Sequence, residues 1–309
     1  MVLTLLFWHM ASSLWQRTSL PAPEAGDTQD AAPPAKTRAH PIIMNDDCLF
    51  SACFTIAPTE PGNAIQAALM KLAGLQPHGA LNNVLHQESF ALLASFLAQN
   101  KDTRALFEIV EFINMMTFTE ARPSLVYGSQ FLAAISSLAP QHNRPVRDAA
   151  TLMARLLQPQ PGEIVFDPAC GQGHALMACA LELAQHFPHA EPRLNGLEAN
   201  QDHWSLAKMM MALSGMRHAQ LANVAALAHS LTIQEAQAFS PADIVLTIIP
   251  DQALPWTHAL ALSERDRRFP VRPPNDSRVA LVWHALASLK PNGGRMAILI
   301  SHKALATLA

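Results

Sequence analysis

Several things are scarce in this sequence, and each scarcity removes a class of explanation. Of 309 residues only 15% are charged, and 21 Lys and Arg face 24 Asp and Glu for a net charge of -3. Without a basic excess the chain does not coat nucleic acid by bulk electrostatics, although a local basic groove stays open to it. Four cysteines (Cys48, Cys53, Cys170 and Cys179) form no Cys-x-x-Cys pair and have no companion His at zinc-ligand spacing. Reduced thiols of a cytoplasmic protein are expected, with no metal site. The N-terminal apolar run, Val2 to Trp8, is too short to cross a bilayer and has neither a basic flank nor a small-residue cleavage site.

What is present is an ordinary globular composition, half hydrophobic, long enough for one large domain and a smaller one. Pro21 to Pro41 is rich in Pro, Ala and Asp and reads as linker. Residues 1–43 are therefore expected to be a disordered leader or a start-site artefact, with Met44 as the alternative start. Residues 44–140 are expected to be a small all-α domain. Ala64, Ala67, Leu69, Met70 and Leu72 fall on a helical period, as do Phe90, Leu92, Leu93, Phe96 and Leu97. Asp102-Thr103 caps a third helix through Ile113, and Gln130 to Leu138 resumes the pattern.

From 141 to 309 the period changes. A helix over Ala149–Leu157 precedes a strand, Glu163–Phe166, and then His174–His186 is an Ala/Leu helix. Leu194–Leu197, Asp243–Ile248 and Arg295–Ile300 are further apolar strands, separated by helices at His203–Leu213 and Val279–Leu289. Apolar strands alternating with helices imply a parallel, doubly wound α/β sheet.

In such sheets ligands bind at the carboxyl ends of the strands. There the first strand runs into Asp167-Pro168-Ala169-Cys170-Gly171-Gln172-Gly173. Gly171 and Gly173 permit a tight turn close to a ligand. The following helix turns its free N–H groups to the same place. Asp167 can accept from a cationic amino-acid ligand, and Glu198, ending the next strand, can accept both hydroxyls of a ribose. A dinucleotide fingerprint would need a third glycine at 176, where Leu176 stands.

The run Arg144-Pro145, Pro161-Gly162-Glu163, Asp167 to Gly173, then Gly196-Leu197-Glu198-Ala199-Asn200, resembles the adenine-N6 DNA methyltransferases of type I restriction–modification systems. The likeness resumes at Arg268-Phe269, Val282 to Leu286 and Gly293 to Ile298, covering about 144–305. It implies a class I S-adenosylmethionine-dependent methyltransferase fold (Rossmann-like, doubly wound) preceded by a small all-α domain. The cofactor is then S-adenosyl-L-methionine, held by Asp167, Pro168, Ala169, Gly171, Gly173, Glu198 and Asn223. The implied partners are double-stranded DNA and the specificity and restriction subunits.

The sequence departs from that family in three places. An Asn-Pro-Pro-Phe motif is due after the fourth strand, where Ile248-Ile249-Pro250-Asp251 stands. Ile248 offers no acceptor to an adenine amino group flipped from the duplex, leaving Pro250 and Asp251 as a degenerate catalytic pair. Leu254-Pro255-Trp256 is the nearest Pro-aromatic substitute. The segment Gln220 to Leu227 lacks the usual cofactor-binding Asp, with Asn223 nearest, and the terminal antiparallel hairpin is not supplied before Ala309. Methylation is accordingly expected to be weak or absent, the alternatives being a non-catalytic cofactor- or partner-binding protein and a decaying gene fragment. Arg265, Arg267, Arg268, Arg272 and Arg278 form a basic cluster, read as a solvated loop or a phosphate contact. His174 reads as a residue of the cap region or cleft lining, since methylation of an amine needs no strong base.

Overall fold

The computed structural model describes residues 2–19, 42, 44–52, 61–74, 108, 111–113, 115, 123–138, 140–216, 218–223, 241–250 and 276–306. The helical segment expected over 90–107, Trp256, Asp251 and the arginines at 265, 267, 268 and 272 lie outside the described residues. The chain divides into two compact units, 1–135 with 208–217, and 136–207 with 218–309.

In the first unit, α1 (Val2–Ser19) occupies part of the stretch that the sequence assigns to a disordered leader or a start-site artefact. Its apolar residues surround the helix instead of lining one face: Leu5, Phe7, Trp8, Met10, Ala11 and Leu14 are all buried. A helix apolar all round is stable only when enclosed. Here Phe7 meets Phe131 edge-on, with ring centroids 6.1 Å apart, and Trp8 meets Phe50 at 5.0 Å. The Trp8 indole N–H donates to the Cys48 carbonyl at 2.7 Å, and the Phe50 amide donates to Ser12 Oγ at 2.9 Å. The unit also holds α2 (Pro61–Gly74) and most of α3 (Pro123–Leu138). No helix among the described residues is long and apolar enough to cross a membrane.

The second unit is the α/β domain. Its elements run α4 (Pro140–Leu157), β1 (Ile164–Asp167), α5 (His174–His186), β2 (Arg193–Leu197) and the first half of α6 (Gln201–Leu213), whose second half falls in the first unit. After them come β3 (Gln220–Ala222), β4 (Ile244–Ile248), α7 (Ser277–Ala287), β5 (Arg295–Leu299) and α8 (His302–Leu305). All five strands are parallel, in the order β3-β2-β1-β4-β5. The central strands are covered on both faces, which is why β4 reads as Ile-Val-Leu-Thr-Ile without polar alternation. Phe166, Leu197, Val245 and Ile249 pack with Ala280, Leu281 and Ala285 of α7. On α4 the buried residues Ala150, Met153, Ala154 and Leu157 fall at i, i+3, i+4 and i+7, a single apolar face.

The amino end of the sheet is closed by a polar clasp. Asp243 accepts from the Ile164 amide at 2.9 Å and from Lys290, while Arg295 pairs with Glu163 at 2.7 Å. Burial alone raises the Asp243 pKa, but the Ile164 N–H and the Lys290 ammonium outweigh it and hold the carboxyl below its usual range. An Asp243→Ala variant leaves the part-buried Ile164 amide without this partner and should lose about 1–3 kcal/mol in urea unfolding. In the wild type this contribution is present at neutral pH and disappears as pH falls through the lowered carboxyl pKa.

Between β1 and β4 the strand order reverses direction. That is the switch point where open α/β sheets form a ligand crevice.

Candidate functional site

The loop from Asp167 to Gly173 leaves β1 at this switch point and is fixed at each of its turns. Ala169 donates its amide to Asp167 Oδ1 at 3.0 Å, Cys170 to the Leu197 carbonyl at 2.9 Å, and Gly173 to the Cys170 carbonyl at 2.8 Å. Gly171 and Gly173 have φ of 55° and 86°, the left-handed region where a Cβ costs about 1–2 kcal/mol. Gly173 is also the N-cap of α5 and has no side chain to satisfy the first-turn amides.

A third glycine matters for a different reason. A Cβ on Gly196 would stand 2.8 Å from Leu221 Cδ2 and 2.9 Å from Cys170 Sγ. So β2 must be bare at this point for the loop to lie against it. Gly196→Ala is expected to lower stability by about 1–3 kcal/mol in urea unfolding, the range for overpacking. Cys170 is buried beneath, and that burial, with the charges of Asp167 and Glu198, raises its thiol pKa well above normal. It is an inert packing residue.

Asp167 is 2% exposed, and among the described residues no cation pairs with it. Burial pushes its pKa up to about 7, partly offset by the Ala169 amide and the nearby Thr247 hydroxyl and reinforced by the charge of Glu198. Thr247, on β4, is fully buried, yet its Oγ1 has no hydrogen bond of normal geometry. Gln172 Oε1, within the loop, is likewise buried without a partner among the described residues.

Glu198 closes the other side. Its Oε2 accepts from the Gly171 amide at 2.8 Å and its Oε1 from the Asn200 amide at 2.7 Å. A carboxylate has about four acceptor positions, so capacity remains for two hydroxyls. Asn223, just past β3, donates Nδ2 to the carbonyls of Glu198 (3.0 Å) and Ala199 (3.4 Å). That leaves its Oδ1 as the acceptor. Asp167, Gly171, Gly173, Glu198 and Asn223 thus sit at the carboxyl ends of β1, β2 and β3, tied together by the Gly171–Glu198–Asn223 bonds.

Other candidates are placed differently. His174 is 6% exposed, and its Nε2 lies 3.2 Å from Ser136 Oγ. Burial first, then Arg147 and His203, push its pKa down to about 4. It is a neutral, enclosed ring. Arg278 forms a 2.6 Å ion pair with Asp276, the N-cap of α7, and is engaged there. Ile248 ends β4 where the family's acceptor is due, with Ile249 turned into the core, its amide bonded to the Leu299 carbonyl at 2.9 Å. Pro250 follows, half-buried. Sequence reading did not single out Thr247, although it is the lone hydroxyl in an otherwise aliphatic strand.

Residues 145–308 match the family model described as N-6 DNA Methylase. The structure aligns with the methyltransferase subunit of a type I restriction–modification system from Streptococcus thermophilus at 19% identity and a TM-score of 0.64. That alignment covers 83% of this chain and 56% of that one. A structure from a study of type I restriction–modification complex assembly aligns at 16% identity and a TM-score of 0.54, covering 96% and 58%. These likenesses bear out the α/β methyltransferase fold expected from the sequence. The chain spans a little over half the length of either structure. No curated protein matches it.

Proposed function

Because the chain belongs to the N-6 DNA methylase family, we propose that it binds S-adenosyl-L-methionine at the Asp167–Gly173 loop. It does so as a cytoplasmic DNA modification subunit of the type I restriction–modification kind. The observation that carries this reading is Asp167, a buried carboxylate without a cation among the described residues. An unpaired buried charge costs several kcal/mol unless a partner arrives. A sulfonium-bearing amino acid with a free ammonium has the right sign and the right donors.

The other residues fit the rest of the molecule. Glu198 has acceptor positions left for ribose hydroxyls, and Asn223, its Nδ2 engaged, would offer its carbonyl oxygen to the cofactor's adenine amino group. Pro168, Ala169, Gly171 and Gly173 supply backbone that can lie close to the ligand. When bound, S-adenosylmethionine supplies an electrophilic methyl group. Double-stranded DNA is the proposed acceptor, with specificity and restriction subunits as partners.

Turnover is a separate matter. Of the catalytic motif only Pro250 survives, Asp251 replaces its stacking ring, and Ile248 brings no acceptor to hold a flipped adenine amino group. The chain is therefore proposed to bind cofactor and DNA with methylation weak or absent. Equilibrium dialysis of the full chain against labelled S-adenosylmethionine tests the binding claim. One mole retained per mole of wild type, and about tenfold weaker retention by Glu198→Ala, is the expected result. A wild type that retains no label overturns it.

A further inference from the structure

The crevice holds one side chain that neither the family motif nor the loop accounts for. Thr247 stands in β4 between Leu246 and Ile248, in a strand otherwise made of Ile, Val and Leu. It is fully buried, and among the described residues its hydroxyl has no hydrogen bond of normal geometry, although it lies close enough to the Asp167 carboxyl to lower that group's pKa. A buried hydroxyl left unpaired costs stability, and valine would fill nearly the same volume without that cost. Fold stability alone thus argues for Val at this position.

Its neighbourhood explains the choice. Asp167 ends β1, the strand paired with β4, and its carboxylate lies beside the Thr247 hydroxyl, equally buried and lacking a cation. Two enclosed oxygens on adjacent strand ends, with acceptor lone pairs to spare and no cation among the described residues, complement a group that brings several N–H bonds and a positive charge. An alkylammonium has three such donors.

We propose that Thr247 is a binding residue for the amino-acid end of S-adenosylmethionine, its hydroxyl accepting a second hydrogen bond from the ammonium that Asp167 holds. This rests on the cofactor reading above and extends it to a residue outside the family's motif.

The test is calorimetric titration of full-length Thr247→Val and Thr247→Ser with two ligands. One is S-adenosylmethionine; the other is 5′-methylthioadenosine, which keeps the nucleoside and lacks the ammonium. Thr247→Val should bind S-adenosylmethionine about ten- to a hundred-fold more weakly, the loss of one hydrogen bond to a charged group. Its affinity for 5′-methylthioadenosine should stay within about twofold, and its urea midpoint without ligand should equal or exceed the wild type's. Thr247→Ser, which restores the hydroxyl, should recover most of the S-adenosylmethionine affinity.

An unchanged S-adenosylmethionine affinity in Thr247→Val overturns the proposal and leaves the cofactor reading intact. An equal loss for both ligands, or a lowered urea midpoint, assigns the hydroxyl to the structure of the crevice and overturns it too. A wild type that binds S-adenosylmethionine not at all overturns the cofactor reading itself, and this proposal with it.

Discussion

An Asp167→Asn variant is expected to lose S-adenosylmethionine binding and gain stability at the same time. The loss follows from removing one partner of a buried, hydrogen-bonded charge pair, which costs about 2–5 kcal/mol. In affinity that is about 30-fold to a few thousand-fold. The gain follows from pH linkage. The Asp167 pKa is about 7 in the folded chain against an ordinary 3.8, so the folded state holds its proton where the unfolded state has released it. The stability this confers is full below about pH 4 and is lost as pH rises through 7. An asparagine does not titrate. Its urea midpoint should therefore lack the decline that the wild type shows between pH 4 and 7, and should lie above the wild type's at pH 8. If the variant is less stable than wild type at pH 8, Asp167 is a structural residue and its burial says nothing of a ligand.

The second large effect concerns turnover. The wild-type chain, given labelled S-adenosylmethionine and adenine-containing duplex DNA, should transfer label at least about a hundredfold more slowly than an Ile248→Asn variant. Methylating the adenine amino group builds positive charge on a nitrogen whose lone pair is otherwise delocalised into the ring. Removing one aligned hydrogen-bond partner from a transition state of this kind costs about 10²–10³ in rate. Ile248 ends β4 in register with Leu299 of β5, so an Asn at 248 would take the acceptor's place two residues before Pro250. Equal label transfer to adenine by the two proteins would show that this chain solves the problem with other residues.

Much of the site was legible because its chemistry depends on backbone turns and on the ends of strands. Asp167, Gly171, Gly173 and Glu198 follow from a strand, a glycine loop, a helix and a second strand in succession, and all four lie at the carboxyl ends of β1 and β2. The helix His174–His186 and the strand ending at Leu197 also lie where hydrophobic periodicity puts them. The N-terminal helix was not legible as one. A helix buried on every side has no amphipathic period to detect, and Leu5, Phe7 and Trp8 looked like an isolated apolar run. The short edge strand Gln220–Ala222 carries only one buried residue, too little pattern to mark it. Thr247 was hidden for a related reason: a hydroxyl in a buried strand gains meaning only from what stands beside it, and Asp167 is 80 residues away in sequence.

The direct test of the central claim, that Asp167 is a cation site for the methyl donor, is the pH dependence of S-adenosylmethionine affinity. Asp167 must give up its proton to receive an ammonium. Titration calorimetry of the wild-type chain should therefore show affinity rising up to about tenfold per pH unit from pH 5 to 7. A proton should be released on binding below pH 7, visible as a heat that changes with the buffer's ionisation enthalpy. Binding with the same affinity across that range, or no binding at all, would contradict it.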